Sequence, residues 1–375
     1  MHKLTAFIKK EIVLVIALSL ALASMCVVPP DGEYAEYIDF RTLSILFCLM
    51  IVMAGFQEAG VFRRIAEALL GRVGKAWQLV LILVLLCFFF SMLITNDVAL
   101  ITFVPFTFIV LELLGQEAER RLILPVVVLQ TIAANLGSML TPIGNPQNLY
   151  LYGKAGLSVG AFILLMLPYC AAALVLLTVC CVCLGRKNAG NQVQVSFDRQ
   201  TELKGKAFPI CRGLLLFVLC LLTVARVLPY GITLILVLVV TCVFDRRLLR
   251  KADYSLLLTF VGFFVFIGNM GRIPAFSTFL QHIISGHEVI TAVAASQIIS
   301  NVPAALLLSG FTEDYAGLIL GTNLGGLGTL IASMASLISY KYIARSGKCS
   351  KGRYLAYFTA ANLIFLALLL GLWKI

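Results

Sequence analysis

Apolar runs of about the length needed to cross a bilayer recur from one end of this chain to the other, and no other feature constrains its fold as strongly. A helical span needs about 20 mainly apolar residues. Residues 11–28, 42–57, 157–184, 207–227, 232–244, 254–267 and 354–372 form such runs. Two more stretches, 121–152 and 316–343, are long enough to cross but are interrupted by Gly, Pro, Asn and Thr. Hydrocarbon offers no water to backbone N–H and C=O groups, so segments of this kind must satisfy them internally, as helices. The expected fold class is an all-α polytopic membrane protein. Composition agrees, with 61% hydrophobic and 13% charged residues, against about 45–50% and 25% in soluble domains. A soluble enzyme, a disordered tail or a nucleic-acid reader is thereby excluded. Eleven cysteines suggest no disulfide framework, because all but Cys349 sit in or beside apolar runs.

The net charge of +11 is distributed as the positive-inside rule requires, so it reports orientation before ligand. Asp31, Glu33, Glu36 and Asp39 precede the second run; Arg63, Arg64, Arg72 and Lys75 follow it. The first run lies behind Lys9 and Lys10 and lacks a cleavage pattern before Pro29-Pro30, so it reads as a retained span rather than a signal peptide. The N-terminus is then cytoplasmic. The basic segments 186–206, 245–251 and 346–353 fall on the same side if 121–152 crosses once, and the acidic Thr312-Glu313-Asp314 loop falls outside.

Two segments break a simple count. Residues 77–114 are apolar on both sides of Thr95-Asn96-Asp97, and 288–311 on both sides of Ser300-Asn301-Val302-Pro303. Both read as re-entrant hairpins, the first entering from the cytoplasm and the second from outside. For the first, two short full spans satisfy the same parity.

The hairpins belong to a repeat. Ser91-x-x-x-Thr95-Asn96 matches Ser296-x-x-x-Ser300-Asn301. Downstream, Asn135-Leu-Gly-Ser-Met-Leu-Thr141-Pro-Ile-Gly144 matches Asn323-Leu-Gly-Gly-Leu-Gly-Thr329-Leu-Ile-Ala332, and upstream, Asp39-Phe-Arg-Thr-Leu43 matches Asp253-Tyr-Ser-Leu-Leu257. The pairs keep their order while the starting side alternates, which predicts two inverted-topology repeats, each with a re-entrant hairpin and a broken transmembrane helix. Four regions follow: 1–38, an N-terminal span and external loop; 39–184, the first repeat, with hairpin 77–114 and broken helix 121–152; 185–252, a cytoplasmic loop and linking spans; and 253–375, the second repeat, with hairpin 288–311 and broken helix 316–343.

Inverted repeats with interrupted helices point to a secondary transporter whose site lies near the midplane. Thr141-Pro142-Ile143-Gly144-Asn145-Pro146 cannot continue as a helix, since each proline removes a donor and clashes with the preceding turn. Unwound backbone at that depth must line a cavity or be buried in protein, and its free carbonyls suit a small cation. Ser91, Thr95 and Asn96, and again Ser296, Ser300 and Asn301, add neutral oxygens that suit sodium better than a transition metal. Half-helix N-termini supply partial positive charge for an anion.

These motifs resemble the citrate-transporter-like group of the ion transporter superfamily, which includes divalent anion–sodium symporters, arsenite permeases and a sodium/proton antiporter branch. The resemblance runs from about Arg41 to the C-terminus, and extends to small bacterial inner-membrane members of the group through Thr-Pro-Ile-Gly-Asn-Pro-Gln-Asn at 141–148. It implies that Ser91, Thr95, Asn96 and Gly144 form one cation site (Na⁺ or H⁺), and Ser296, Ser300, Asn301 and Ala332 a second. It also implies a homodimer in which one domain slides like an elevator. In the sodium-coupled dicarboxylate carriers each tip reads Ser-Asn-Thr; the third residue is Asp97 here in the first copy and Val302 in the second. A carboxylate beside a bound dianion repels it unless protonated or paired with a cation.

Asp97 is the acid nearest the expected membrane centre, where charge is costly and functional; capping the second hairpin arm is its simpler use. Asp97, Val302, Thr141, Pro142, Asn145, Pro146, Asn148, Thr329 and Ser333 are the candidate substrate or coupling residues. Cys180-Cys181-x-Cys183 reads as small hydrophobes rather than a soft-metal site. Residues 61–73 and 273–286 read as interfacial helices at equivalent places in the two repeats. No catalytic residues, cofactor or nucleic-acid partner is expected. The partners are a small anionic or oxyacid substrate and the lipid bilayer, in a bacterial inner membrane. The expected function is movement of that substrate coupled to Na⁺ or H⁺. An arsenite-type efflux permease or Na⁺/H⁺ antiporter using Asp97 stands next, ahead of a channel or an intramembrane enzyme.

Overall fold

The computed structural model describes residues 11–71, 73–113, 115–187 and 207–373, and these form an all-helical protein. Eight helices are long and apolar enough to cross a membrane. Lys9, Lys10 and most of the basic loop after Arg186 lie outside the described residues.

Helix α1 (Ile12–Met25) and one turn, α2 (Tyr34–Tyr37), precede α3 (Phe40–Ala59). Asp39 starts α3 by accepting from Thr42 N at 2.9 Å, and Asp253 starts its counterpart α12 (Tyr254–Gly271) by accepting from Leu256 N at 3.0 Å. The upstream pair of matched motifs is therefore a pair of N-caps, each satisfying a free amide of the first turn. Each helix is followed by a short amphipathic one, α4 (Val61–Leu70) and α13 (Pro274–Ile284). In α4, Phe62, Ala66 and Leu70 are buried at i, i+4 and i+8, while Arg63, Arg64 and Glu67 lie on its other faces.

The first hairpin has arms α5 (Ala76–Ile94) and α6 (Asn96–Leu113), of 19 and 18 residues. At 1.5 Å per residue each is about 27–28 Å long, close to the thickness of a hydrocarbon core. The second, α14 (Glu288–Ile299) and α15 (Asn301–Leu308), has arms of 12 and 8 residues, about 18 and 12 Å. The two hairpins thus differ in reach, and only the arms of the first are long enough to cross.

The first broken helix is α7 (Gln116–Ser138), an unwound segment, then α8 (Pro146–Lys154). It begins earlier than the apolar run indicated, because Glu117 and Glu119 suit the positive first turn of a helix. The second is α16 (Tyr315–Leu324) and α17 (Met334–Ser346). Helices α9 (Val159–Lys187), α10 (Ala207–Val224), α11 (Tyr230–Phe244) and α18 (Lys351–Trp373) complete the fold.

Helix α7 is the axis of the molecule. It is the least apolar of the eight candidate spans, yet its crossing window is 94% buried, against 28% for α9 and 22% for α10. This inverts the soluble pattern: the strongly apolar α9 and α10 face outward, and the helix carrying Gln130, Thr131, Asn135 and Ser138 is wrapped by protein, where polar side chains find partners. Gln130 Nε2 donates to Leu83 O at 3.0 Å and Thr107 Oγ1 at 2.8 Å, and Thr131 Oγ1 donates to Ser339 Oγ at 2.7 Å. Lys348, after α17, pairs with Glu119 and lies over the Phe108 ring.

Helix α1 docks on α12. Asn269 Nδ2 donates to Ser24 Oγ at 2.9 Å and Tyr34 Oη at 2.8 Å, and Arg272 Nη1 lies 2.6 Å from Asp31 Oδ2. Asn269 is thus a structural tie. All eleven cysteines are free thiols; Cys181 is buried while Cys183 is exposed, so the 180–183 set does not converge on one point.

Candidate functional site

At each hairpin tip one residue takes a backbone conformation ordinarily reserved for glycine: Thr95 at φ 70°, ψ 150° and Ser300 at φ 75°, ψ 155°. A side chain there costs about 1–3 kcal/mol and persists only where the surroundings over-determine it. What determines it is the same contact twice. Past the turn, Asn96 N donates to Gly144 O at 3.2 Å and Asn301 N donates to Ala332 O at 2.9 Å. Each tip is pinned to the unwound segment of its own broken helix.

The rest of each centre repeats too. Thr141 Oγ1 donates to Met92 O, and Thr329 Oγ1 donates to Gln297 O at 3.3 Å. Asn145 and Ser333 stand in near-identical extended conformations before α8 and α17. Gly137 and Gly325 hold the crossing of broken helix and first hairpin arm: a Cβ on Gly137 would overlap the Phe88 carbonyl and lie 2.7 Å from Ser91 Oγ, and one on Gly325 would lie 2.6 Å from Ser296 Oγ. Close approach at these glycines buries Ser91 and Ser296, whose hydroxyls donate to Phe88 O at 2.9 Å and Ala292 O at 2.7 Å.

The two centres are joined into one polar network by two residues that the pattern contained but that were not read as part of the site. Asn135 Oδ1 accepts from Asn96 Nδ2 and from Ser333 Oγ, both at 3.0 Å, and its Nδ2 donates to Gly326 O at 3.3 Å. Asn323, at the equivalent position, donates from Nδ2 to Asn148 Oδ1 at 2.6 Å. Each half thus lends an asparagine to the opposite break. The shared Asn at the head of both Asn-Leu-Gly segments was the available signal.

Of the candidate substrate and coupling residues, Asn145, Asn148 and Ser333 enter this network. Asn145 Nδ2 donates to Ser138 Oγ at 2.6 Å, and Asn148 Nδ2 donates to Ser138 O at 3.2 Å and Thr141 O at 3.3 Å. Thr141 and Thr329 brace their own breaks. Pro146 opens α8, Pro142 lies in the unwound segment, and Val302 is buried at the second tip. The capping reading of Asp97 is corrected by its bonds: its backbone N–H donates to Asn96 Oδ1 at 2.9 Å, while its carboxylate accepts nothing and Oδ1 is buried without a partner. Asn96 supplies the cap instead, because its side chain is one residue closer to the turn. Gln297 was also missed: its Nε2 reaches Gly325 O at 3.0 Å and Leu327 O at 2.9 Å, and its Oε1 accepts from Thr329 N at 2.8 Å.

Buried polar atoms are nearly always hydrogen-bonded, so the exceptions carry information. Among the described residues nine such atoms have no partner, and four of them, Gln130 Oε1, Asn269 Oδ1, Tyr354 Oη and Asn362 Oδ1, lie elsewhere in the helices. The other five, Asp97 Oδ1, both amide atoms of Gln147, Asn323 Oδ1 and Ser336 Oγ, belong to the tips and breaks or to the first turns of α8 and α17. They provide oxygens for a cation and one amide donor for an anionic or hydroxylated group.

The model of the Citrate transporter family matches residues 4–317. Inner membrane protein YbiR of Escherichia coli is 33% identical over 308 residues, covering 81% of this chain and 80% of that one. An uncharacterised transporter of Methanocaldococcus jannaschii is 32% identical, with 86% of each chain covered. The silicon efflux transporter of Oryza sativa is 36% identical over 143 residues, 38% of this chain and 28% of its own.

Proposed function

Because this chain belongs to the Citrate transporter family and is an integral membrane transporter, we propose that it carries a small anion or oxyacid, of carboxylate or inorganic type, driven by Na⁺ or H⁺. The observation that supports this most is the doubled tip-and-break centre: two strained turns, each bonded to an unwound carbonyl, with buried polar atoms between them that lack protein partners. The Gly144 carbonyl accepts one backbone bond and retains a second lone pair, while that of Ala332 accepts from Asn301 N and, at 3.4 Å, from Ser300 Oγ. With Ser91, Thr95 and Asn96 on one side and Ser296, Ser300 and Asn301 on the other, they make two neutral oxygen sets for the coupling ion. Asn145, Asn148, Thr141, Thr329 and Ser333 line the region between, where the substrate binds. Neutral oxygens suit Na⁺ by charge and hardness. The substrate's charge is met by the co-bound cation and by the amide-rich start of α8.

In this reading the two halves are inverted repeats, the hairpins are re-entrant, and the molecule is a homodimer in a bacterial inner membrane with its N-terminus in the cytoplasm. Alternating access proceeds by elevator-type movement. A second reading, export of a neutral oxyacid or Na⁺/H⁺ exchange, is favoured by the unpartnered Asp97 carboxylate. It also agrees with the name of the partly matching silicon efflux transporter.

Proteoliposomes with an imposed Na⁺ or pH gradient test both. Sodium-driven, saturable uptake of succinate, citrate or sulfate, with counterflow, and its loss in Asn96→Ala and Asn301→Ala, is the expected result. Arsenite movement or proton flux that ignores sodium and fails in Asp97→Asn would replace it with the second reading. Conductance without counterflow would sink the carrier altogether.

A further inference from the structure

Away from the tips, a cleft of about 490 Å³ opens where the start of α3, the end of α8 and the α10–α11 turn meet, lined by Arg41, Gly153, Thr223, Arg226 and Tyr230. Its size is in the range of small-ligand sites. Among the described residues neither arginine forms an ion pair. Arg41 Nη2 donates to Thr223 O and Val224 O, each at 3.4 Å; Arg226 Nη1 and Nη2 donate to Gly156 O at 3.3 Å and Tyr152 O at 3.4 Å. These are long bonds to the carbonyl ends of α10 and α8. A guanidinium has five donors, and Nε and Nη1 of Arg41 and Nε of Arg226 are bonded to no described residue.

Arg226 occupies a position that favours another residue. It follows α10 at φ 63°, with Arg226 N donating to Thr223 O at 3.1 Å and Val227 N to Leu222 O at 2.9 Å. This is the turn that ends a helix with a left-handed residue, most often glycine; an L side chain is strained there. Among the described residues the other two non-glycine residues at positive φ are Thr95 and Ser300, both at the candidate site. The strain at Arg226 keeps a cation on the rim of the cleft, its Cζ 5.3 Å from the centre of the Tyr152 ring. A neighbouring cleft of about 450 Å³ shares Gly153 but is lined by Glu36, Asp39 and Lys154. The Asp39 carboxylate is engaged by Thr42, through both N and Oγ1. The acidic groups therefore line the other cleft.

We propose that the Arg41–Arg226 cleft is a second anion site, distinct from the tips, which takes a carboxylate- or phosphate-type oxyanion through the free guanidinium donors. The same chemistry serves a soluble oxyanion and the phosphate of a lipid headgroup.

The test uses purified full-length protein. Binding of sulfate and succinate is followed by thermal stabilisation at ionic strength matched with NaCl, and binding of phosphatidylglycerol by native mass spectrometry. The variants are Arg226→Gly, which relieves the backbone, and Arg41→Gln, which leaves the turn untouched. Each is expected to weaken binding of at least one probe about tenfold or more, the scale of one charge-assisted bond. Loss confined to sulfate or succinate assigns the cleft to soluble oxyanions, and loss confined to phosphatidylglycerol assigns it to lipid. The proposal is overturned if both variants bind every probe within about twofold of wild type. It is equally overturned if anion binding is lost in Asn96→Ala while both arginine variants keep binding of the anions and of phosphatidylglycerol alike, an outcome that leaves the tip site standing.

Discussion

In the first half, Thr95 turns the chain and passes the Asn96 amide to the carbonyl of Gly144; in the second, Ser300 does the same with Asn301 and Ala332. The backbones coincide, but the side chains around them do not. The first centre holds Asp97, whose carboxylate caps nothing, beside a break stiffened by Pro142 and Pro146. The second holds Val302 at the same place and uses Gln297, where the first has Met92, to tie its break with three bonds to Gly325, Leu327 and Thr329. One centre therefore contains an ionisable group, and the other is neutral and more tightly held. The two centres share the geometry that exposes carbonyls and differ in the chemistry around it.

Exchanging residues between the halves breaks or sharpens this contrast. Gly144→Ala should do most, because a Cβ there would overlap the Ser138 carbonyl; overpacking of this kind costs about 1–3 kcal/mol or more. A large fall in the unfolding midpoint of purified protein is expected, while Ala332→Gly loses only about 0.5–1 kcal/mol. Equal effects would mean that the two breaks are not under different constraint. Next, Gln297→Met removes the partner of the Thr329 amide and of two carbonyls; Gln297 and Thr329 are only half-buried, so water replaces part of the loss and about 1–2 kcal/mol in all is expected. The second centre should then unfold at a lower temperature and exchange its Thr329 amide faster; unchanged exchange would mean that Gln297 does not hold the break.

Asp97→Val installs the second half's residue in the first. Removing a half-buried carboxylate whose Oδ1 is buried without a partner is expected to stabilise the protein by about 1 kcal/mol and to flatten any pH dependence of transport. A loss of stability with an intact pH profile would show that the charge is used structurally. The smallest effect is outside the membrane, where the loop after α1 is clamped to the second half by Asp31 and Arg272. Arg272 beside Asp31 holds that carboxyl below its ordinary value of 3.8. The folded state is therefore favoured by this pair above pH 3.8, and the contribution disappears as pH falls through the lowered value. Asp31→Asn should give a slightly lower unfolding midpoint at pH 7, with the difference closing in acid; a gap that persists at low pH would assign it to packing instead.

How much was legible follows the range of the interactions. The helices α3, α9, α10, α11, α12 and α18 were readable within a few residues of their ends, although α11, at 15 residues, is shorter than a candidate span. The positions of both tips and both breaks also followed from Thr95-Asn96, Ser300-Asn301 and the Pro/Gly-rich segments. Apolar length and the conformational limits of proline act locally, so a string of residues displays them. The capping use of Asp97 could not be judged this way, because Asn96 competes for the same amide and only geometry decides which side chain reaches it. The reach of the first hairpin was equally undetermined, since its apolar arms allow a fold-back or a crossing.

The sequence by itself determined that this is a helical membrane protein whose two halves each interrupt a helix opposite a polar tip. Tertiary structure decided that the halves share one network. Asn135 meets Ser333 across 198 residues and Asn323 meets Asn148 across 175, and it is the fold that brings Arg41 and Arg226 to one cleft. Such contacts have no local signature: an asparagine in a helix looks the same whether it faces its own turn or the other half of the molecule. The packing of α17 on α7 and of α16 on α8 brings the partners within bonding distance.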